Sequence, residues 1–452
     1  MSIRVLIPAG ALGLGYDKEA LKRGLEKKPH LIAIDGGSTD SGPAYLGRGV
    51  SKYSRASTKL EWKGLMEARE RARVPLVIGT AGTCGTDKSV DWFLKITEEI
   101  ASELSLSLKV AVLKCSQKNE SIAKSYSHGM IKPLPNAPKI SERIILNCTN
   151  IVALAGVEQI ILALKENPDI IIAGRATDTA IIAALPIMKG LNPGLAWHGA
   201  KVSECGALCT TNPMSGVVLV QFNQNSFTVE PMSKNARATP RTVSAHMLYE
   251  NANPFILYEP GGHLNVEKAN YTAISDRVVQ VSGAQWIASA DYTVKLEGVV
   301  RAGFQNVILT LIRDRKYVRD VDIWIKQVED NCCKLIDDRL SLSKNSYSLE
   351  FRLIGKNASF GTLETSVSEH LEIGIMALIT AETQQDADEI SRILNPLLLH
   401  HPLTQKEELP TFAFPFSPAH ISRGPVYEFM FNHILSLKNP MDAFKLEVLE
   451  YG

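Results

Sequence analysis

An arginine and an aspartate, Arg175 and Asp178, follow directly on the apolar run Ile170-Ile171-Ile172-Ala173-Gly174. A guanidinium presents a planar fork that grips a carboxylate through two hydrogen bonds, so Arg175 suits an anionic substrate. The competing arrangement is an internal Arg175 to Asp178 ion pair that caps a helix beginning near Thr177. A second polar loop, Asp35-Gly36-Gly37-Ser38-Thr39-Asp40, leaves another apolar run. Its glycines, Gly37 among them, let backbone approach a ligand, Ser38 and Thr39 bring hydroxyl donors, and Asp35 and Asp40 bring acceptors. The same side chains could instead bond to their own loop. Gly79, Gly82 and Thr83 follow a third apolar run. Glu204, ahead of Cys205-Gly206-Ala207, could serve as base or acid if burial raises its pKa. His246, on an expected helix with Tyr249 and Glu250, is the imidazole best placed to move protons near neutral pH.

Each of these groups needs a strand to deliver it, and the first half of the chain supplies the pattern. Short apolar strands are expected at Ile3–Ile7, Leu31–Ile34, Leu76–Ile78, Lys109–Leu113 and Ile170–Ala173. Helices are expected at Asp17–Leu25, Lys59–Arg73, Asp87–Leu104 and Gly156–Lys165. Such alternation implies an α/β fold with a parallel, doubly wound sheet, in which ligands sit beyond the carboxyl ends of the strands. Asp35, Gly79 and Arg175 then share one edge. Beyond Pro213 the rhythm changes to strands at Val217–Gln221, Phe227–Glu230 and Val278–Val281. The order strand, helix, strand, strand, helix then runs from Asn306 to Leu399, close to a ferredoxin-like split βαβ unit. The expected organisation is a Rossmann-like domain over 1–213 and an α+β domain over 214–452, with a C-terminal extension packing back on the body.

Three motifs in order carry a family resemblance: Ile172-Ala173-Gly174-Arg175-Ala176-Thr177-Asp178-Thr179-Ala180, then Glu204-Cys205-Gly206-Ala207, then His246-Met247-Leu248-Tyr249-Glu250 with Asn253-Pro254. Together they resemble the acyclic terpene utilisation protein A (AtuA) family, over a stretch reaching from the first strand to roughly Gly283. The loop Asp35 to Pro43 departs from the Asp-Tyr-Leu-Ala-Glu segment of the terpene-pathway members, which points to a different substrate. The resemblance implies a place in the catabolism of branched or carboxylated compounds, with hydratase or lyase chemistry. It also singles out His246, and it implies that a small partner protein accompanies some relatives.

The expected function is therefore hydration, dehydration or a related elimination on a small carboxylic acid or its acyl-CoA thioester. Arg175 would hold the carboxylate, Glu204 and His246 would share proton transfer, and Asp178 would assist. Asp35, Asp40, Asp178 and Glu204 offer only oxygen, which suits Mg²⁺ or Mn²⁺. An NAD(P)-dependent oxidoreductase is the rival enzyme reading, because Gly10-Ala11-Leu12-Gly13-Leu14-Gly15 links a strand to a helix. Its spacing is not that of the dinucleotide fingerprint. A scaffold subunit active only with a small partner is the other rival.

Composition bounds these readings. The 452 residues are 45% hydrophobic and 21% charged, enough for more than one core. A net charge of +1 offers nothing to nucleic acid or an anionic membrane. The seven cysteines lack zinc-knuckle spacing, and the N-terminus enters a strand without a signal-peptide pattern. A cytoplasmic homo-oligomer is expected.

Overall fold

Apolar side chains that point alternately up and down can all be buried only if helices cover both faces of the sheet. The computed structural model describes residues 1–366 and 369–451, and in it the apolar runs form β1 (Ile3–Ile7), β2 (Leu31–Asp35), β3 (Leu76–Gly79) and β4 (Leu108–Lys114). Two short strands that pair elsewhere follow, β5 (Ile131–Pro133) and β6 (Asn150–Ala153), and then β7 (Ile170–Ala173) returns to the sheet. Val5, Ile7, Ala33, Val77, Ala111 and Ile171 belong to one core; their neighbours Leu6, Ile32, Ile78, Val110 and Ile172 belong to another. Helices Val157–Lys165, Ala180–Met188 and Pro193–Ser203 feed the first core, and Lys18–Glu26, Arg55–Ala72 and Asp87–Leu104 the second.

The fold is mixed α/β around a large mixed sheet. β1, β2, β3, β7 and β4 lie parallel in that spatial order, and Asp35 at the end of β2 stands opposite Gly79 at the end of β3. Antiparallel strands extend both edges. β8 (Val218–Phe222) pairs with β1, β9 (Phe227–Pro231) with β8, and Lys445–Tyr451 with β4. With Val279–Ser282 and Asn270–Ala273 beyond β9 the sheet has ten strands among the described residues. The position 213/214, where a boundary was expected, falls just before β8, inside this sheet.

Two compact units emerge, one of Met1–Val300 with the segment from Phe429 onward, the other Arg301–Glu428. In the second, Phe304–Ile312 of the strand Tyr292–Ile312 pairs antiparallel with Ile373–Ala381, which pairs with Tyr347–Ile354. The strand His420–Phe429 pairs with Tyr292–Ile312 as well. Helices Val321–Leu340 and Gln384–His400 contribute Trp324, Val328, Ile336, Ile390 and Leu394 to its core. Phe412, in the proline-rich stretch expected to pack back, sets its ring edge-on to Tyr317 and Trp324 within this unit.

Candidate active site

The carboxyl ends of β2, β3 and β7 lie side by side, and the chain beyond each turns into one cleft of about 490 Å³. Two glycines bring its walls together. A Cβ on Gly85, whose φ is +63°, would lie 2.3 Å from the Arg175 backbone nitrogen, so only glycine lets the loop after β3 meet the loop after β7. A Cβ on Gly10, after β1, would lie 3.2 Å from the Cys205 backbone. The glycine-rich turn thus packs against Cys205, and Gly10 and Cys205 line the cleft together.

Asp35 and Asp178 both line this cleft. Asp35 is buried, its Oδ2 accepts the Gly37 backbone N–H at 3.0 Å, and its Oδ1 has no partner among the described residues. Burial, reinforced by Asp178, raises its carboxyl well above the usual range. Asp178 is partly exposed, and burial lifts it to about 6 against the pull of Arg175 and Lys201.

Glu204 caps the C-terminal end of helix Pro193–Ser203, and Lys201 one turn earlier donates to its Oε1 at 2.5 Å. Burial lifts Glu204 although the Lys201 ammonium opposes it. Burial pulls Lys201 down, but contact with Glu204 leaves its pKa raised. His246 is buried, and burial with Lys201 lowers it to about 4, so the ring is neutral near pH 7. Its Nε2 has no partner among the described residues, and its ring stacks on Tyr249 at 5.2 Å. The expected helix ends at Ala245, and His246–Leu248 is a single 3-10 turn. Cys205 and Tyr249 line the cleft; Glu204 and His246 are not among its lining residues.

Arg175 is committed inside the protein. Its Nε donates to Glu297 Oε2 at 2.9 Å, one terminal nitrogen donates to Glu297 Oε1 at 3.1 Å, and the other to Thr80 at 3.1 Å. Thr39 donates to the same Glu297 at 3.0 Å. Burial alone would raise Glu297, but the Arg175 guanidinium outweighs it and holds the carboxyl at about 2. The partner of Arg175 is therefore Glu297, not Asp178.

The other expected residues divide. Gly37, Ser38, Asp40 and Thr83 line the cleft, and Thr83 Oγ1 accepts the Lys52 N–H at 3.1 Å. Gly79 and Gly82 are packed: an added Cβ would lie 2.8 Å from Ile181 and from Ser89 respectively. Lys52, Tyr53 and Glu297 were not expected in the site. Glu297 sits in a strand, opposite Val152 of β6, with no sequence signal tying it to Arg175. Lys201 could have been found, since residues three apart on a helix share a face.

Among the described residues, the metal-ligating side chains that gather in a group of three are Glu204, Cys205 and His246, whose ligand atoms lie within 4.8 Å of one another. The oxygen-only set Asp35, Asp40, Asp178 and Glu204 does not gather in that way. At the glycine-rich turn, the Asp17 carboxylate accepts the Glu19 and Ala20 amides at 2.9 and 3.0 Å. A carboxylate on these first amides repels the pyrophosphate that a dinucleotide would bring there.

Residues 58–413 match the family described as acyclic terpene utilisation family protein AtuA. No curated protein and no solved structure matches the chain.

Proposed function

The chain belongs to the acyclic terpene utilisation AtuA family, and from that premise we propose that it is a hydro-lyase acting on a small carboxylic acid or its acyl-CoA thioester in a catabolic route. One observation carries the reading: two carboxyls, Asp35 and Asp178, line the same cleft beyond the strand ends, and Asp35 keeps an oxygen without a partner. Environments that push two carboxyls apart in pKa sort them into acid and base. Asp178, ionised, takes the proton from the carbon beside the carbonyl. Asp35, protonated, gives its proton to the departing hydroxyl, which leaves as water while the carbon–carbon double bond forms.

Substrate anchoring falls to Lys52, whose exposed ammonium lines the cleft and donates to Ser41 at 2.7 Å. Arg175, with its fork on Glu297, is a positioning residue that fixes the loop bearing Asp178. The parallel order β1-β2-β3-β7-β4 supports a Rossmann-like reading of the sheet core. The strand order Tyr347–Ile354, Ile373–Ala381, Tyr292–Ile312 in turn supports a ferredoxin-like reading of the second unit.

A panel of 2- and 3-hydroxy acids, their CoA thioesters and the matching unsaturated products tests the function. Reversible loss or gain of water with no added nicotinamide is the expected result. Turnover that requires NAD(P) would instead favour the oxidoreductase reading.

A further inference from the structure

The wall of the cleft holds a second constellation: we propose that Glu204, Cys205 and His246 bind one zinc ion through a carboxylate oxygen, a thiolate sulfur and an imidazole nitrogen. Their ligand atoms lie within 4.8 Å of one another. With bond lengths of about 2.0 to 2.3 Å, the ligand atoms of a tetrahedral zinc stand roughly 3.3 to 3.8 Å apart. The cluster needs only a small contraction to reach that spacing.

A second observation points the same way. His246 is 5% exposed, and its Nε2 has no hydrogen-bond partner among the described residues. A buried, unpartnered ring nitrogen is costly to keep, and an ion would satisfy it. Stacking on Tyr249 holds the ring in place without using a nitrogen. The Lys201 bond to Glu204 takes one lone pair of the carboxylate and leaves others for a metal. It is also the kind of contact that orients a metal-bound carboxylate.

The donor set decides which ion. Imidazole and thiolate beside one carboxylate suit zinc, whereas magnesium and manganese favour oxygen alone. Around the cluster, Asp178, Glu250 and Glu259 bring negative field, and the cation facing it, Lys201, is matched by Glu204. Three protein ligands leave a tetrahedral ion one open position, the pattern of catalytic zinc sites. Cys205 lines the cleft, so an open position on that side would take water or a substrate oxygen. Binding forms a sulfur–metal bond, breaks the sulfur–hydrogen bond and passes the proton to solvent, with no change of oxidation state. The ion is independent of the proton roles given to Asp35 and Asp178.

The full-length protein, stripped with a chelator, is titrated with Co²⁺ as a spectroscopic probe and then with Zn²⁺. One equivalent of Co²⁺ should bind, with a thiolate-to-cobalt charge-transfer band and the intense visible bands of a tetrahedral ion, and Zn²⁺ should displace it. Cys205→Ser should abolish the charge-transfer band. Glu204→Gln and His246→Asn should weaken binding by at least about 10-fold, no less than the loss of an outer-shell partner brings. Cys209→Ser, whose thiol bonds to the Gly206 carbonyl, should bind as wild type does. A folded wild-type protein that takes up no Co²⁺, or binds it without the thiolate band, overturns the proposal even if a variant fails to fold. So does an unchanged band in Cys205→Ser.

Discussion

Asp35 and Asp178 show how environment divides labour between like groups. Their side chains are chemically the same, yet one is buried with a free oxygen and the other opens to the cleft. Asp178→Asn should lower kcat by roughly 100-fold or more, the scale of a lost general base. It should also stabilise the protein. The folded-state pKa of Asp178 is raised from 3.8 to about 6, so its contribution to stability is fully present below about pH 4 and is lost as pH rises through 6. The melting temperature of Asp178→Asn should therefore exceed that of wild type by more at pH 7 than at pH 4. Thermal melts at the two values check this. Activity should rise with pH through about 6 as Asp178 ionises, in a field set by Arg175 and Lys201 on one side and by Glu250, Asp40, Glu204 and Asp35 on the other.

The Arg175 to Glu297 pair behaves in the opposite sense. Glu297 has a depressed pKa, so its stabilisation is present above its ordinary 4.5 and lost as pH falls toward 2. Both side chains are buried, and removing one partner leaves the other charge uncompensated. Glu297→Ala should cost about 3 to 5 kcal/mol in denaturant unfolding, and Arg175→Met with Glu297→Leu together should cost less than the sum of the single changes. Equal additivity would mean that the pair does not act as a unit.

At the scale of elements, local pattern and long-range pairing parted company. The expected helix Asp87–Leu104 and strand Ile170–Ala173 match the observed bounds, because each has an uninterrupted period and a clear cap or turn. The strand Tyr292–Ile312 was expected only from Asn306. Gly298, Val299-Val300, Arg301 and Gly303 break the apolar alternation right after Glu297, and this first half is held by pairing with β6 and with His433–Leu437. The same interruption hid Glu297 as the partner of Arg175. Lys445–Tyr451 went unread too, since a polar edge strand gains its place from β4 and not from its own propensity. Loop geometry tells a further story at Gly85. Its left-handed backbone and the 2.3 Å approach to Arg175 leave no room for a methyl group, so Gly85→Ala should cost more than about 1 kcal/mol. It should lower kcat as well, because the loop bearing Asp178 shifts with Arg175. Unfolding and steady-state kinetics on one sample would show both losses or refute the link.

The whole molecule combines a nearly neutral chain with a cleft rich in carboxyls. Among the described residues no helix is long and apolar enough to cross a membrane. The segment Arg301–Glu428 has its own core around Trp324, Ile308 and Ile375. Expressed alone, it should unfold cooperatively, whereas a broad, non-cooperative melt would show that its core is incomplete. The central claim, that Asp178 removes a proton beside a carbonyl, meets its most direct test in ²H₂O. With the hydroxy acid or thioester that turns over in the panel, wild-type protein should exchange solvent deuterium into the carbon beside the carbonyl, followed by NMR. Asp178→Asn should do so roughly 100-fold more slowly or worse. A folded Asp178→Asn protein that exchanges deuterium at the wild-type rate would contradict the account.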